Sequence, residues 1–459
     1  MSPEELAARA LGVVDGEALV TAVRQRWVML RFAHSHPTQL TSVDDLTVEI
    51  AALRRGHVGR ASTNGTDAGR LKECMAQAAR AAEAAAAASG GGDYPGFPPR
   101  TAPRAHDGHD PATAALDLAG GRDALEAAFG TAAGAGVEAG GIWTAGEVHT
   151  AIASPDAEPV SDRVTDAYMK VVATAPSGQT GYASDSGVSA AGVDGAAIAA
   201  EAAQKANRGA GASPLEPGEY TVVLDPHAVS ELLWVLAHSA FNGLLHAEGQ
   251  GALSATLGTR VASPAVNLSD SPRFPGTLPR AFDAEGAAKA PLPLIQDGVA
   301  HAVAHDTRSA ALAGSQTTGP ALEPGGSEDG PRPTNLVRAG GGEPDGAALC
   351  AGVERGIYVT RLWYTNILRP EDTAFTAVTR DGTFLIEDGE VSARIADMRV
   401  TDTALGIFGR TRALGSETRL CADGEFYGMR FATGSVCPPL RAEGVRFTGS
   451  AGPGPAIRS

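Results

Sequence analysis

The stretch SPLEPGEYTVVLDPHAVSELLWVLAHSAFNGLLHAEG, residues 213–249, divides the chain into two parts. Its first residues, SPLEPGEY, are rich in Pro, Gly and Glu, a composition typical of a domain boundary. YTVVLDP then predicts a strand, and the apolar residues that follow predict one long helix or two short ones. We therefore place an N-terminal domain at residues 1–212 and a C-terminal domain at residues 213–459.

Upstream of this boundary, helical and strand patterns alternate. Residues 3–34 carry apolar side chains near helical spacing, which predicts a helical span. Residues 40–64 mix alternating apolar residues with Gly and Asn, as strands joined by turns do. Further helices are predicted at 67–88, 121–136 and 194–208, the last capped by Asp194, and further strands at 138–154 and 164–186. Together these patterns predict an N-terminal α/β domain.

Downstream of residue 249 the chain reads mainly as strands and turns. Strands are predicted at 293–307, 358–366, 376–391, 393–403 and 445–449. Residues 313–347 are dense in Gly, Pro, Ser and Glu and predict a mobile loop. The expected fold class is therefore α+β, with a β-rich C-terminal domain.

Composition and charge exclude several functions. The chain has 53 acidic and 37 basic side chains, a formal charge of −16, and no Lys/Arg-rich block, so we expect no nucleic-acid partner. No apolar stretch approaches the roughly 18 residues of a membrane span, and the acidic N-terminus does not resemble a secretory signal. The four cysteines form no C-x-x-C pair and are expected to be reduced thiols. A cytoplasmic protein is expected, and we attribute the abundance of Ala and Gly to coding bias.

His246 and Glu248 are the first candidates for a metal site. A hydrolytic zinc site commonly uses two histidines and a third ligand, with a glutamate beside the first histidine as general base. Here Ala247 comes between the two residues, and a helix turns about 100° per residue, so the carboxylate faces a different side of the axis. The nearest other histidine in sequence, His238, lies about 12 Å back along a helix. The pattern favours solvated or locally hydrogen-bonded histidines over a metal site.

The remaining clusters are weaker candidates. His301 and His305 have helical ligand spacing, but a Gly turn followed by alternation favours a strand, on which they would lie roughly 13 Å apart. Residues 106–110, HDGHD, read as an exposed turn. Cys437, followed by two prolines, is more typical of a buried or turn cysteine than of a nucleophile. Neither a G-x-S-x-G motif nor a P-loop is present.

A set of segments in collinear order carries a family resemblance. They are PGEYTVVLDPHAVSELLWVL (217–236), FDAEG (282–286), PLIQDGV (293–299), RGIYVTRLWYTNILRPEDTAFTAVTRDGTFLIEDGEV (355–391) and PPLRAEGVRFTG (438–449). These segments resemble the TldD/PmbA family, whose members are described as modulators of DNA gyrase and as metalloproteases. The resemblance covers residues 215–450 well and 40–210 more loosely. It implies an α/β N-terminal domain followed by a β-rich C-terminal domain of mixed sheets.

The resemblance also bears on the metal. The TldD branch carries a His-Glu-x-x-x-His motif and a later cysteine ligand, whereas the PmbA branch, also called TldE, lacks them. Laid on that motif, His246 takes the first histidine position, Ala247 the glutamate position and Gly251 the second histidine position. The segment comparable to the cysteine region, residues 423–434, contains none, while residues 363–391 look most like the actinobacterial TldE type. The resemblance therefore implies no cofactor in this chain and zinc in a TldD-type partner.

The implied function is that of a non-catalytic subunit. By this resemblance the chain would pair with a TldD-like metalloprotease subunit, or with itself as a homodimer, around a chamber for unfolded or short peptides. On the strand 358–366, Arg361, Trp363 and Tyr364 are candidate peptide-binding residues; core or interface packing is the alternative for the two aromatics. His246 and Glu248 are kept as the only catalytic candidates, and His246 as the only metal candidate.

Two other functions stay open at this point. The chain could be an enzyme in its own right, either a peptidase that uses His246 or a tailoring enzyme of peptide natural products. Modulation of DNA topology by direct binding conflicts with the charge of −16.

Overall fold

The computed structural model describes residues 1–209, 211–422 and 428–450 of the 459-residue chain. The helices are α1 Pro3–Leu11, α2 Ala68–Ser89, α3 Pro111–Ala114, α4 Arg122–Gly134, α5 Gly195–Asn207, α6 Pro226–His238, α7 Gly243–Ala247, α8 Thr307–Ala313, α9 Gly346–Cys350 and α10 Ala404–Gly409. The strands of the N-terminal part are β1 Ala18–Ala33, β2 His36–Arg54, β3 His57–Thr63, β4 Glu138–Ser154, β5 Ala157–Thr174 and β6 Thr180–Gly187. Those of the C-terminal part are β7 Gly218–Leu224, β8 Leu268–Asp270, β9 Leu292–Gln296, β10 Val299–Ala300, β11 Asn335–Arg338, β12 Arg355–Val359, β13 Leu362–Arg369, β14 Ala374–Thr379, β15 Thr383–Glu387, β16 Glu390–Arg394, β17 Met398–Thr403, β18 Thr411–Leu414, β19 Arg419–Ala422, β20 Gly434–Cys437 and β21 Leu440–Ser450.

The N-terminal sheet is antiparallel, with the strand order β3-β2-β1-β4-β5-β6. It consists of two halves with the same order of main elements, α1-β1-β2-β3-α2 and α4-β4-β5-β6-α5. The halves meet at the ladder between β1 and β4, whose register runs without a shift from Val20 opposite Ala153 to Phe32 opposite Gly141.

The prediction of helix over residues 3–34 is correct for α1 and wrong for β1. The side chains of β1 are buried on both faces near its start: Ala18 and Val20 pack under α1 and α2, while Leu19 packs on the opposite face against Phe282. A strand covered on both faces loses the strict alternation of a half-buried strand. Its apolar positions can then fall at helical spacing by coincidence.

Glycines let the helices approach the N-terminal sheet closely. A Cβ on Gly59 of β3 would lie 2.2 Å from the carbonyl oxygen of Ala78 in α2. The equivalent contact in the second half is Gly181 of β6, where a Cβ would lie 2.1 Å from the carbonyl oxygen of Ala202 in α5. Each edge strand thus touches the backbone of an alanine-rich helix.

Two mixed sheets form the C-terminal part. The large C-terminal sheet has the order β13-β14-β17-β21-β7-β12-β15-β16, with β18 beside β21, and β7 runs parallel to β12. The small C-terminal sheet has the order β10-β9-β8-β11-β20-β19, and β11 runs parallel to β20. A core that includes Leu232, Phe241 and Phe375 packs helix α6 against these strands. The predicted α+β class with a β-rich, mixed-sheet C-terminal part is confirmed.

Local predictions in this part had mixed outcomes. Residues 227–249 form two helices, α6 and α7, which was one of the two alternatives. The segment 313–347, predicted as a loop, contains β11, whose four residues are all buried between β8 and β20. The loop interpretation is therefore wrong for residues 335–338. None of the described helices combines the length and the apolar character needed to cross a membrane.

A buried carboxyl links the two parts of the chain. Glu285 accepts hydrogen bonds from the hydroxyl of Tyr94 (3.1 Å) and from the hydroxyl (2.5 Å) and backbone N–H (3.2 Å) of Thr307. Burial raises the pKa of Glu285 well above its ordinary value, and the neighbouring Asp283 carboxyl raises it further. The folded state therefore holds a proton on Glu285 at pH values where the unfolded chain has released it.

This raised pKa predicts a pH dependence of stability. Since the folded state binds more protons than the unfolded state, the free energy of unfolding falls as the pH rises from about 5 to about 8. Urea unfolding across that range should show a loss of about 1 kcal/mol or more from this group. Glu285→Gln should flatten the slope, whereas Glu417→Gln, at an exposed position, should not. Equal slopes in wild type and Glu285→Gln would contradict the assignment.

Candidate functional site

A cavity of about 550 Å³ lies between the N-terminal sheet and the C-terminal part. Its walls come from β5 and β6 on one side and from α6, β11, β13, β19 and β20 on the other. Segments that are far apart in the sequence, the first at residue 168 and the last at residue 435, therefore line the same cavity. A cavity of this size, lined by several separate elements, is a common location for a ligand site.

Aromatic rings form part of the cavity wall. Trp234 and His238 stand one helical turn apart on α6, with ring centroids 4.2 Å apart. Trp363 lies on β13 with 41% of its surface exposed, and the guanidinium of Arg380 lies 4.2 Å above its ring. Such rings can contact the side chains and peptide planes of an extended ligand.

The two histidines of the wall are neutral. Burial, together with the nearby Arg332 guanidinium, lowers the pKa of His238 to about 4. Its Nδ1 donates to the carbonyl of Trp234 at 2.8 Å, which leaves Nε2 as a hydrogen-bond acceptor. Burial also lowers the pKa of His227 well below its ordinary range, and His227 Nε2 is hydrogen-bonded to Ser184 Oγ at 2.9 Å. These imidazoles can exchange hydrogen bonds with a ligand or the wall without carrying charge.

Two of the three predicted peptide-binding residues line this cavity. Arg361 lines it, forms an ion pair with Asp381 at 3.1 Å and lies 4.2 Å from the Tyr182 ring centroid. Trp363 also lines it, whereas Tyr364 lies outside it with 69% of its surface exposed. Tyr364 has a φ of 55°, and the register of β13 shifts between Trp363 and Asn366. The bulge keeps the two rings in contact, with centroids 5.6 Å apart, while Trp363 alone lines the cavity.

Strand β13 offers hydrogen-bonding groups as well as side chains. It stands at one end of the large C-terminal sheet, where, among the described residues, only β14 pairs with it. Its outer edge can therefore accept another extended segment through backbone hydrogen bonds.

The metal candidates occupy a different place. Glu248 forms the C-cap of α7 and is exposed. His246 lies on α7 with its ring centroid 5.9 Å from that of His305, a residue that follows β10 in an irregular segment. The prediction that His301 and His305 share a strand is therefore wrong, and the partner of His246 comes from a distant part of the sequence.

The residues around His246 do not fit a zinc site. Burial lowers the pKa of both His246 and His305, and His305 Nδ1 is already hydrogen-bonded to Ser309 Oγ at 3.2 Å. Within residues 1–209, 211–422 and 428–450, no group of three His, Cys, Asp or Glu side chains could hold an ion. A Cβ on Gly251 would lie 3.1 Å from the backbone nitrogen of His246, so a histidine at this position would need local movement. Residues 423–427 of the predicted cysteine-region counterpart lie outside the described residues.

Sequence reasoning found Arg361 and Trp363 but missed most of the cavity wall, including Trp234, His238 and Arg332. A tryptophan four residues before a histidine on an apolar helix was the one available signal, since both fall on the same face. Arg332 gave no signal, because it lies in the segment predicted to be a loop.

The α+β fold, with an antiparallel N-terminal sheet and two mixed C-terminal sheets around a cavity, defines the structural class of this protein. A family model described as the PmbA/TldA metallopeptidase C-terminal domain matches residues 217–449, just over half of the chain. The chain belongs to the PmbA/TldD metallopeptidase family.

One curated relative and two solved structures are similar to this chain. A curated protein from Methanothermobacter thermautotrophicus described as a metalloprotease is 26% identical over 226 residues, or 47% of each chain. The match thus spans about half the length of that relative. The structure of TldE from Thermococcus kodakarensis has a TM-score of 0.83 at 19% identity, covering 97% of this chain and 99% of that one. A candidate modulator of a DNA gyrase from Thermotoga maritima also has a TM-score of 0.83, at 18% identity, covering 97% and 100%.

Proposed function

We propose that this chain is a TldE-like, non-catalytic subunit of a TldD/TldE-type metalloprotease, and that it helps to enclose and bind unfolded or short peptides. The observation that carries the proposal is the donor set around His246. The family fold is present, yet the two imidazoles there have no third ligand among the described residues that could complete a metal site, because His305 is hydrogen-bonded to Ser309 and the neighbouring Asp306 carboxylate accepts from Ser309 as well. Hydrolytic zinc sites use three protein ligands and an open position.

Peptide binding is supported by the cavity and by the edge of β13. A peptide added beside β13 would gain backbone hydrogen bonds, and Trp363 would lie at the entrance to the cavity. The four cysteines are free thiols in the structure, which suits a reducing cytoplasm.

The test of the proposal is reconstitution. The chain would be purified alone and after co-expression with a TldD-type subunit that carries an intact His-Glu-x-x-x-His motif. We expect the pair to co-elute, to contain zinc and to cleave an unfolded protein such as casein. The lone chain should neither contain zinc nor cleave the protein. Stoichiometric zinc with peptidase activity in the lone chain would support an independent enzyme instead.

His246 provides a sharper test of the non-catalytic role. If this chain performs no chemistry, His246→Ala should leave the turnover number of the reconstituted pair within about twofold, because no bond-breaking step uses the imidazole. The matched control is His36→Ala, at an exposed histidine on β2. A loss of more than about a hundredfold with an unchanged circular dichroism spectrum would indicate a direct catalytic role.

A further inference from the structure

The charged side chains that line the cavity are mostly basic, whereas the chain as a whole is acidic. The chain carries a formal charge of −16, but the described residues of the cavity wall include Lys170, Arg332 and Arg361 against a single carboxylate, Glu231. Positive charge set in a cleft with low-dielectric walls attracts anionic groups more strongly than the same charge on an open surface. The cavity is thus electrostatically suited to an anionic ligand.

Arg332 differs from the other charged groups of the wall. Arg361 is paired with Asp381, and Lys170 and Glu231 have interactions of their own. By contrast, no residue in the described part of the chain forms a hydrogen bond or ion pair with the Arg332 guanidinium, although Asp329 is near enough to favour its charged form. The side chain is only partly exposed. A partly desolvated guanidinium without a bonded anion is an unusual feature, because its five N–H groups match a carboxylate in a bidentate geometry.

The surroundings of Arg332 fit a peptide better than a small inorganic anion. Trp234, Trp363 and Phe431 contribute apolar surface to the same cavity, which is large enough for several residues. His238 Nε2, as an acceptor, can receive a peptide N–H. Because β13 forms both the free sheet edge and part of the cavity wall, a segment paired with β13 would place one end in the cavity.

We propose that Arg332 is the anchor for a carboxylate of the bound peptide, with the C-terminal carboxylate and a Glu or Asp side chain as its two possible sources. This inference rests on the proposed peptide-binding function. It assigns the substrate class as peptides that present a carboxylate next to apolar side chains.

The experiment compares three pools of randomised hexapeptides on the immobilised full-length chain. The first pool lacks Asp and Glu and has a free C-terminal carboxylate; the second is the same pool with C-terminal amides; the third is amidated and contains one Glu. Retained peptides are quantified by mass spectrometry. Since a hydrogen-bonded charge pair contributes about 1.5 kcal/mol or more, we expect the first or third pool to be retained at least about tenfold over the second.

Variants at Arg332 decide the assignment. Arg332→Gln should bring the ratio between carboxylate and amide pools close to one, and Arg332→Lys should keep part of the preference because it keeps the charge. Arg355→Gln, at an exposed arginine outside the cavity, should behave as wild type. Retention of the first pool alone assigns the C-terminal carboxylate, retention of the third alone assigns an acidic side chain, and retention of both assigns any peptide carboxylate.

Two outcomes would overturn the inference, and they can be told apart from failure of peptide binding itself. Equal retention of all three pools, or a preference that survives in Arg332→Gln, would refute the anchor while leaving peptide binding intact. Retention of no pool by the wild-type chain would refute both the anchor and the peptide-binding part of the proposed function. Circular dichroism spectra of the variants exclude loss of folding as the cause.

Discussion

Arg430→Ala is expected to lower the free energy of unfolding by about 3 to 5 kcal/mol, because it leaves a buried carboxylate without its partner. Arg430 is fully buried, and its guanidinium donates to both carboxylate oxygens of Asp166 on β5, at 2.8 and 2.7 Å. It also donates to the hydroxyl of Thr144 on β4 at 2.9 Å. One side chain from the C-terminal part is thus bonded to two strands of the N-terminal sheet.

The measurement is urea unfolding followed by circular dichroism. Asp166→Asn should lose less, and the double variant should lose clearly less than the sum of the two, since each single change disrupts the same ion pair. The control Arg355→Ala removes an exposed arginine and should change stability by about 0.5 kcal/mol at most. Additive losses would show that the Arg430–Asp166 ion pair does not account for the loss of stability. Because Phe431 follows directly and lines the cavity, peptide retention should weaken together with stability.

The second large effect is expected at Gly181. An added methyl would lie 2.1 Å from the carbonyl oxygen of Ala202 and 2.5 Å from the backbone nitrogen of Ala206, so Gly181→Ala must push α5 away from β6. Overpacking against backbone, which cannot rotate away, should cost about 3 kcal/mol. Thermal unfolding of the purified variant tests this expectation.

The chain contains a matched control for that change. Gly130 lies inside α4, where an added Cβ meets nothing within 4 Å. Gly130→Ala should therefore raise stability by about 0.5 to 1 kcal/mol, because alanine restricts the unfolded chain and favours the helix. If both substitutions shifted the melting temperature in the same direction, the contact with α5 would not explain the loss at Gly181.

The sequence was sufficient where local signals agree with the tertiary environment. The alanine-rich α2 and the Asp194-capped α5 combine strong propensity with a capping residue, and both form as predicted. β1 could not be predicted, because both faces of its first residues are covered and the period of two is lost. β11 was hidden in a Gly- and Pro-rich segment, since four buried residues are too few to show a period.

The cavity could be predicted only in part, because its residues come from segments that are distant in the sequence. Arg361 and Trp363 could be proposed because they belong to one recognisable strand, whereas the cavity also depends on α6, on Arg332 and on β19 and β20. A single sequence gives no signal that residues 168 and 435 line the same cavity. The abundance of Ala and Gly, attributed to coding bias, also has a structural use, because contacts such as Gly181 with Ala202 require the smallest residues.

The repeated order of elements in the N-terminal sheet has a consequence for how the domain folds. Inside each half, neighbouring strands are consecutive in sequence, so β1 with β2 and β4 with β5 close as hairpins across short turns. The ladder from Val20 with Ala153 to Phe32 with Gly141 is different, because it joins segments separated by a whole half-domain. Because of loop-closure entropy, we expect this β1–β4 ladder to be the slowest strand pairing of the sheet to form. Until the β1–β4 ladder forms, β1 and β4 each keep a long unpaired edge. A chain in this state is the form most prone to aggregate during synthesis.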